Sequence, residues 1–351
     1  MNARAIGIVR EDCQRVLQHA NAGAFASLKG ETLVVTGGTG FIGTWLAELV
    51  TTLNDDFGFG TQVVLISRST DHFKSTRPHL AGRKDLTLIK SDVRHLMELP
   101  RETNWVVHAA GNPDNRFHST NPIETMSIVA DGTAAVIRAI DRCGSFRRLL
   151  NISSGLIYGN QPLSLERISE SFEGAPVSGS LSSVYGEAKR FAETLVSAAR
   201  TQARIPAVTV RPFAFIGPYQ SMETPWAINN FIRDAMGQGP IRVFGDGQTV
   251  RSYMYPSDMA FWFLRILIDG QEGANYNVGS SDPVKLETLA MQVSNFFNPK
   301  PEVRLRTGTG ASPRSRFVPD VSLASKTLGL GCTVGLQSAL ERTILWNQAL
   351  G

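Results

Sequence analysis

The chain has 351 residues, 42% hydrophobic and 19% charged, with 35 Lys+Arg against 31 Asp+Glu for a formal net charge of +4. This composition supports a packed core and excludes wholesale disorder, and the length suits one large α/β unit or two closely joined ones. The basic excess is scattered, with no run of five basic residues, which argues against a dedicated nucleic-acid protein and leaves anionic small molecules as suitable ligands.

Three cysteines, Cys13, Cys143 and Cys332, stand far apart with no C-x-x-C spacing, the usage of a reducing compartment and not of structural zinc. The most apolar stretch, 259–268, is interrupted by Arg265 and falls far short of the roughly 20 residues that cross a bilayer. The opening residues have no sustained apolar region of the kind a signal peptide needs. The expectation is a cytoplasmic protein with no membrane partner.

Residues 1–30 read as a short helix and linker, with Val9, Cys13, Val16 and Leu17 at helical spacing. Next comes 32–36, a β-branched run between Gly30 and Gly37 that has the character of a buried strand. A helix is predicted over 44–53, strands over 63–66, 86–89 and 105–108, and a long helix over 123–143. A fifth strand over 148–153, a helix over 183–201 and a sixth strand over 207–211 complete the alternation. Strands separated by helices predict a Rossmann-type, doubly wound parallel sheet covered on both faces. Beyond residue 212 Gly, Pro and aromatic residues thicken; helices are predicted over 229–237, 257–268 and 286–297 and a strand over 275–278. The expected domains are an N-terminal helical extension (1–30), a dinucleotide-binding domain (31–212) and a partly interleaved substrate-binding lobe (213–351).

The segment Thr36-Gly-Gly-Thr-Gly-Phe-Ile-Gly43 follows the first strand and opens a helix, with Gly37, Gly40 and Gly43 in G-x-x-G-x-x-G spacing. Such glycines allow the turn, let the backbone approach a pyrophosphate and let the helix pack close to its strand. The helix N-terminus then presents free N–H groups to the anion. A chance glycine turn would not carry a strand before it and a helix after it. The second strand ends Ser67-Arg68-Ser69-Thr70 with no acidic residue, so Arg68 favours NADP over NAD; a solvated loop cation is the plain alternative.

Tyr185 and Lys189 stand at i,i+4 on one helix face. A free tyrosine titrates near pH 10, and an ammonium one turn away is expected to lower that value. The phenol is then suited to move a proton on a sugar hydroxyl. Elsewhere in the chain a Tyr–Lys pair would be read as ordinary helix surface; downstream of a glycine phosphate turn it is a candidate reactive pair.

These two motifs together resemble the short-chain dehydrogenase/reductase superfamily. The length, Arg211-Pro-Phe-Ala-Phe-Ile-Gly217-Pro218 and the segment from Phe244 through Arg251 to Asp258 resemble its extended branch of nucleotide-sugar epimerases, dehydratases and decarboxylases, over about residues 31–345. The resemblance implies NAD(P), a nucleotide-sugar substrate and a homodimer built on the helices near 123–143 and 183–201. By position it implies Tyr185 as general base/acid, Lys189 as its electrostatic partner and ribose ligand, and Ser154 as the hydroxyl that holds the sugar oxygen. It implies Gly37, Thr39, Gly40, Phe41, Ile42, Gly43, Arg68, Asp92, Val93, Ala109, Ala110 and Gly111 as cofactor contacts. Arg251 corresponds to the arginine that clamps the substrate pyrophosphate, with Arg316 as a second candidate.

The chain departs from that pattern in informative places. Dehydratases of this branch carry an Asp-Glu pair directly after the catalytic Ser/Thr, and decarboxylases keep the Glu. Here Gly155 and Leu156 stand there, and neither moves a proton. Ala214 replaces a substrate-contacting Asn, and Val129 another Asn. Hydride returned to C4 gives a 4-epimerase or a 4-ketoreductase. Dehydration or decarboxylation with other acid/base residues stays open, as does a non-catalytic dinucleotide sensor on the same fold. His108 is expected to be a structural or cofactor-wall histidine. His72, His79, His95 and His118 lack ligand spacing, so no metal is expected. Asp114, Asn115 and Arg116 face either the sugar or solvent, and Phe261, Trp262 and Phe263 are expected in the core.

Overall fold

A computed structural model describes residues 2–20, 22–306 and 315–350. The chain opens with α1 (Ala3–Ala20) and a 3-10 turn (Ala22–Leu28). There follow β1 (Thr32–Thr36), α2 (Phe41–Phe57), β2 (Gln62–Ser67), α3 (Thr70–Thr76), α4 (Pro78–Ala81), β3 (Leu86–Lys90) and β4 (Thr103–His108). Next come α5 (Asn115–Thr120), α6 (Pro122–Asp141), β5 (Arg148–Ile152), α7 (Val184–Gln202) and β6 (Ala207–Pro212). The remainder is α8 (Ala227–Met236), β7 (Ile241–Phe244), β8 (Val250–Arg251), α9 (Pro256–Asp269), β9 (Asn275–Val278) and β10 (Val284–Lys285). It ends with α10 (Leu286–Ser294), β11 (Val303–Arg306), β12 (Arg316–Phe317), α11 (Ser322–Leu328) and α12 (Leu336–Leu350).

The main sheet is parallel with strand order β3-β2-β1-β4-β5-β6-β9. Its central strands are continuous apolar runs because both faces are covered. Side-chain alternation divides β1 between two cores. Leu33 and Val35 pack with Trp45 and Leu49 of α2, Phe263 of α9, Val9 of α1 and Ile344 of α12. Val34 packs with Val64, Ile66 and Val106 and with Val136 of α6 and Val196 of α7. The order reverses between β1 and β4, so the carboxyl ends of these two strands bound the crevice where such sheets bind ligands.

After β6 the chain does not leave the sheet. β9 pairs with β6, Thr209 opposite Asn275 through Pro212 opposite Val278, so the 213–351 segment supplies the seventh strand as well as two small sheets, β10-β8-β12 and β11-β7. Two helices there, α11 and α12, lie outside the sequence reading. The helix expected over 286–297 stops at Ser294, where turns take over.

The N-terminal extension is fastened to the rest. Tyr255 Oη donates to buried Asp12 Oδ2 at 2.6 Å, and Arg342 of α12 pairs with the other carboxylate oxygen. Burial raises Asp12 to about 6 against the pull of Arg342. No helix among the described residues is long and apolar enough to cross a membrane.

Candidate active site

The glycine turn between β1 and α2 is enforced by close backbone packing. A Cβ on Gly37 would stand 2.8 Å from Ala109 O and Ala110 Cα; one on Gly43 would stand 2.2 Å from Gly38 O. Gly37 also has φ +67°, a region that favours glycine. Gly40 is the N-cap of α2 and has no side-chain cap bond, while Thr44 N is the first α2 amide to reach back, to Gly40 O at 2.9 Å. The amides of Phe41, Ile42 and Gly43 are therefore the free donors of a long helix, aimed out of its N-terminus. A cradle that any side chain would fill, with three free N–H groups, fits a dinucleotide pyrophosphate.

Polar groups line the carboxyl ends of β2 and β3. Thr39 Oγ1 and Ser67 Oγ are 2.6 Å apart. Asp92 accepts from Arg94 through both oxygens, which holds its carboxyl down near 2. Arg68 Nη1 stands 3.9 Å from Asp92 and 3.4 Å from Glu124, so the one basic side chain that ends β2 already faces two carboxylates. Val93 is buried against Gly132 of α6. Ala109 N donates to Thr36 O at 3.1 Å, tying β4's exit to the end of β1.

His108 cross-braces this switch point. Nδ1 is 2.7 Å from Thr36 Oγ1 and Nε2 is 3.0 Å from Thr133 Oγ1. Thr133 spends its own proton on Val129 O at 2.6 Å, so Nε2–H is the donor to Thr133 and Nδ1 accepts from Thr36. Burial, helped by the Lys189 charge, pushes the His108 value down to about 3 and keeps the ring neutral. The residue is a strut.

Tyr185 and Lys189 come from the first two turns of α7, beside the exit of β4 and that of β5. A Cβ on Gly111 would lie 3.7 Å from Lys189 Nζ and 3.9 Å from Tyr185 Cε2. Lys189 is buried, and its Nζ donates to Ile152 O, the last residue of β5, at 2.7 Å. Ser154, two residues on, accepts from Leu156 N at 3.1 Å. The three residues singled out for reaction thus gather around the β4 and β5 exits.

Their electrostatics differ from the sequence expectation. Burial carries Tyr185 up to about 12, not down, and lowers Lys189 to about 8 against the pull of Glu193. The ammonium is 5.7 Å from the phenol ring centroid. Within the polypeptide alone, desolvation of the phenolate outweighs that charge.

One neighbour of Tyr185 had no sequence signal. The His118 ring stacks on the phenol with centroids 4.5 Å apart and planes 7° from parallel. His118 belongs to α5, capped by Asp114, whose carboxylate accepts from Arg116 N and chelates the Arg116 side chain. Asp114 and Arg116 are thus spent on holding this short helix together.

The candidate phosphate arginines do not share a face. In the parallel β8–β12 ladder Arg316 is opposite Val250 and Phe317 opposite Arg251, so successive side chains put Arg251 with Phe317 and Arg316 on the other side. Phe317 stacks with Phe213 at 4.7 Å, and Phe213 covers Gly155. Arg251 therefore lies on the side of the β5 exit, its Nη2 3.0 Å from Ser315 Oγ. Arg316 donates to Glu166 O. Gly155 and Leu156 occupy a 3-10 turn, Gly155–Tyr158, that contains no carboxylate; Leu156 is 49% exposed. No cluster of three or more His, Cys, Asp or Glu suited to a metal occurs among the described residues.

A doubly wound parallel sheet with a glycine phosphate turn and a buried Tyr–Lys pair at its carboxyl edge defines a nicotinamide-dinucleotide class of α/β protein. More particularly, the sequence model of the NAD dependent epimerase/dehydratase family matches residues 33–279, and the chain belongs to that family. It is 27% identical over 312 residues to UDP-glucuronic acid decarboxylase 2 of Arabidopsis thaliana, a match covering 89% of this chain and 67% of the plant protein. Its fold matches UDP-glucose 4-epimerase of Thermotoga maritima, solved with UDP-glucose, at a TM-score of 0.78 and 19% identity over 91% of this chain and 99% of that one. It also matches UDP-glucuronic acid 4-epimerase of Bacillus cereus, solved with UDP-glucuronic acid and NAD, at 0.76 and 21% over 91% and 100%.

Proposed function

We propose that the protein is an NAD(P)-dependent enzyme acting at C4 of a nucleotide-activated sugar, as a 4-epimerase or a 4-ketoreductase. The observation that carries this reading is the gathering of Tyr185, Lys189 and Ser154 at the β4 and β5 exits, with the β4 exit at Ala109 and Ala110 packed against Gly37, and with Gly155 and Leu156 where, by the family resemblance, elimination chemistry would need carboxylates. The free amides of Phe41, Ile42 and Gly43 would hold the cofactor pyrophosphate, with Ala109, Ala110 and Gly111 along its path and Asp92 and Val93 toward its adenine. Bound there, the nicotinamide supplies the acceptor and donor of hydride. Tyr185 takes the proton from the sugar hydroxyl and returns it. Lys189, charged below about pH 8, favours the phenolate by simple attraction. Ser154 donates to the sugar oxygen, and Arg251 grips the substrate phosphates; Arg316, on the opposite face and bonded to Glu166 O, takes no part in that grip.

Arg68, the basic side chain that ends β2, supports NADP over NAD, and a 2′-phosphate would have to displace Asp92 and Glu124 from its guanidinium. Arg68→Ala is expected to weaken NADP binding by about tenfold and NAD binding far less, a loss in the range of one charge-assisted hydrogen bond; calorimetric titration of both nucleotides checks it. Dehydration or decarboxylation is the second reading, favoured by the names of the plant relatives and opposed by Gly155 and Leu156. A dinucleotide sensor is the third, opposed by the retained Tyr185 and Lys189.

A homodimer is part of the proposal. The outer faces of α6 and α7 expose Ile123, Met126 and Phe191, an apolar surface that a second copy would cover.

The deciding experiment is mass spectrometry of products from UDP-glucose, UDP-glucuronic acid, dTDP-glucose and their 4-keto forms. A product of unchanged mass but new chromatographic retention, or a gain of two hydrogens when NAD(P)H is supplied, is the expected outcome. Loss of water or of carbon dioxide would overturn the preferred reading in favour of the second.

A further inference from the structure

We propose that His118 is a positioning residue for Tyr185, a role that rests on the reading of Tyr185 as the proton-transfer group. Proton transfer requires the phenol oxygen to come within about 2.6–3.2 Å of its partner. Rotation about the Cα–Cβ bond swings that oxygen by ångströms, while rotation about the Cβ–Cγ bond leaves it in place and turns the ring plane in which its O–H and lone pair lie. Among the described residues no protein group hydrogen-bonds the Tyr185 hydroxyl, so the ring is held by its faces and edges alone. On the helix side it packs against the small cluster of Val129, Ala188 and Ala192. Lys189 Nζ, at 5.7 Å from the centroid, is committed to Ile152 O. The flat restraint is the His118 imidazole, parallel to the phenol within 7° and in stacking contact.

That imidazole is itself fixed. Its Nε2 stands 2.6 Å from Asn112 O; a carbonyl only accepts, so Nε2 carries the hydrogen and the ring orientation is set. The backbone around it is closed on itself: His118 N donates to Asp114 O, and Asp114 N donates to Asn112 Oδ1. Arg116, chelated by Asp114, also reaches Glu223 O at 3.0 Å. His118 is 7% exposed. One stretch of chain leaving β4 therefore meets Tyr185 twice, at Gly111 with its backbone and at His118 with a side-chain plane, and registers the phenol to the strand that bounds the crevice.

The role is one of shape, so the conservative replacement is a flat ring. Four variants, His118→Ala, His118→Leu, His118→Phe and Tyr185→Phe, are assayed against wild type with UDP-glucose, UDP-glucuronic acid, dTDP-glucose and their 4-keto forms in the presence of NADH and NADPH, with thermal unfolding of each. His118→Leu keeps bulk without planarity and stands in if His118→Ala does not fold. The expected result is a fall in kcat of about tenfold in His118→Ala and His118→Leu with KM nearly unchanged, and near-complete recovery in His118→Phe, as for loss of orientation and not of binding. A purely structural role would lower thermal stability without the kcat-against-KM split and without rescue by Phe. If Tyr185→Phe is dead while His118→Ala or His118→Leu matches wild type, or if Phe fails to rescue, the positioning role is wrong and the reading of Tyr185 stands. If wild type turns over none of the probes, or Tyr185→Phe retains activity, the reading itself falls and this role with it.

Discussion

Under the proposed function, the cofactor side and the substrate side of this crevice are made of different materials. The first is backbone: a glycine turn so tight that a methyl group at Gly43 would sit 2.2 Å from a carbonyl oxygen, and three helix amides with no side-chain cap. The second is side chains brought from distant segments: Tyr185 and Lys189 on α7, His118 on α5, Ser154 after β5 and Arg251 on a two-residue strand. A backbone site tolerates no substitution but is indifferent to most of the surrounding sequence. A side-chain site can be retuned one residue at a time, and the family fold hosts several chemistries for that reason.

Four experiments sharpen or break this contrast. Tyr185→Phe should lower turnover by about a thousandfold while leaving nucleotide affinity near wild type, the scale of a lost general acid/base; steady-state kinetics beside NAD titration tests it, and equal losses in both would erase the division. Gly43→Ala should do the reverse, weakening dinucleotide binding by about a hundredfold and stability by roughly 2–3 kcal/mol through overpacking, read by titration and denaturant unfolding. Arg251→Ala should raise KM for the sugar nucleotide by about ten- to a hundredfold, the range of a charge-assisted hydrogen bond, with NAD affinity unmoved. The smallest effect concerns pH. Lys189 is lowered by burial to about 8, so its charge is present below that value and lost above it. The kcat/KM profile of the free enzyme should fall on an alkaline limb near pH 8, and Lys189→Arg, which stays charged, should remove that limb.

The glycine turn between β1 and α2 was legible because its signals are local. Gly37, Gly40 and Gly43 sit within seven residues, between a β-branched strand and a helix, and β1 through β6 announce themselves as short Val/Leu/Ile runs. The shared helix of Tyr185 and Lys189 was legible for the same reason, since they stand one helical turn apart. The partnership of His118 with Tyr185 spans 67 positions and leaves no trace in spacing. The polar run Asn115–Thr120 forms a helix because Asp114 caps it and its histidine finds a ring to lie on. The strands β8, β10 and β12 have two residues each, too few for any period, and exist only because the tertiary fold brings them side by side. The opposite faces of Arg251 and Arg316 follow from that pairing. The missed helix α12 did carry a signal, since Ala339, Leu340, Thr343 and Ile344 recur at helical spacing and are all buried. The direction of the Tyr185 shift was misjudged because an ammonium is visible in sequence and desolvation is not.

The carboxylate of Asp12, far from any chemistry, has a mechanical consequence for the crevice. Its grip on Tyr255 lies four residues beyond Arg251, in a buried segment that is also bridged to Phe215 at Met254. Anchoring the phenol of Tyr255 from outside makes the opening helix a guy-line for the arm that would reach toward the substrate's phosphates.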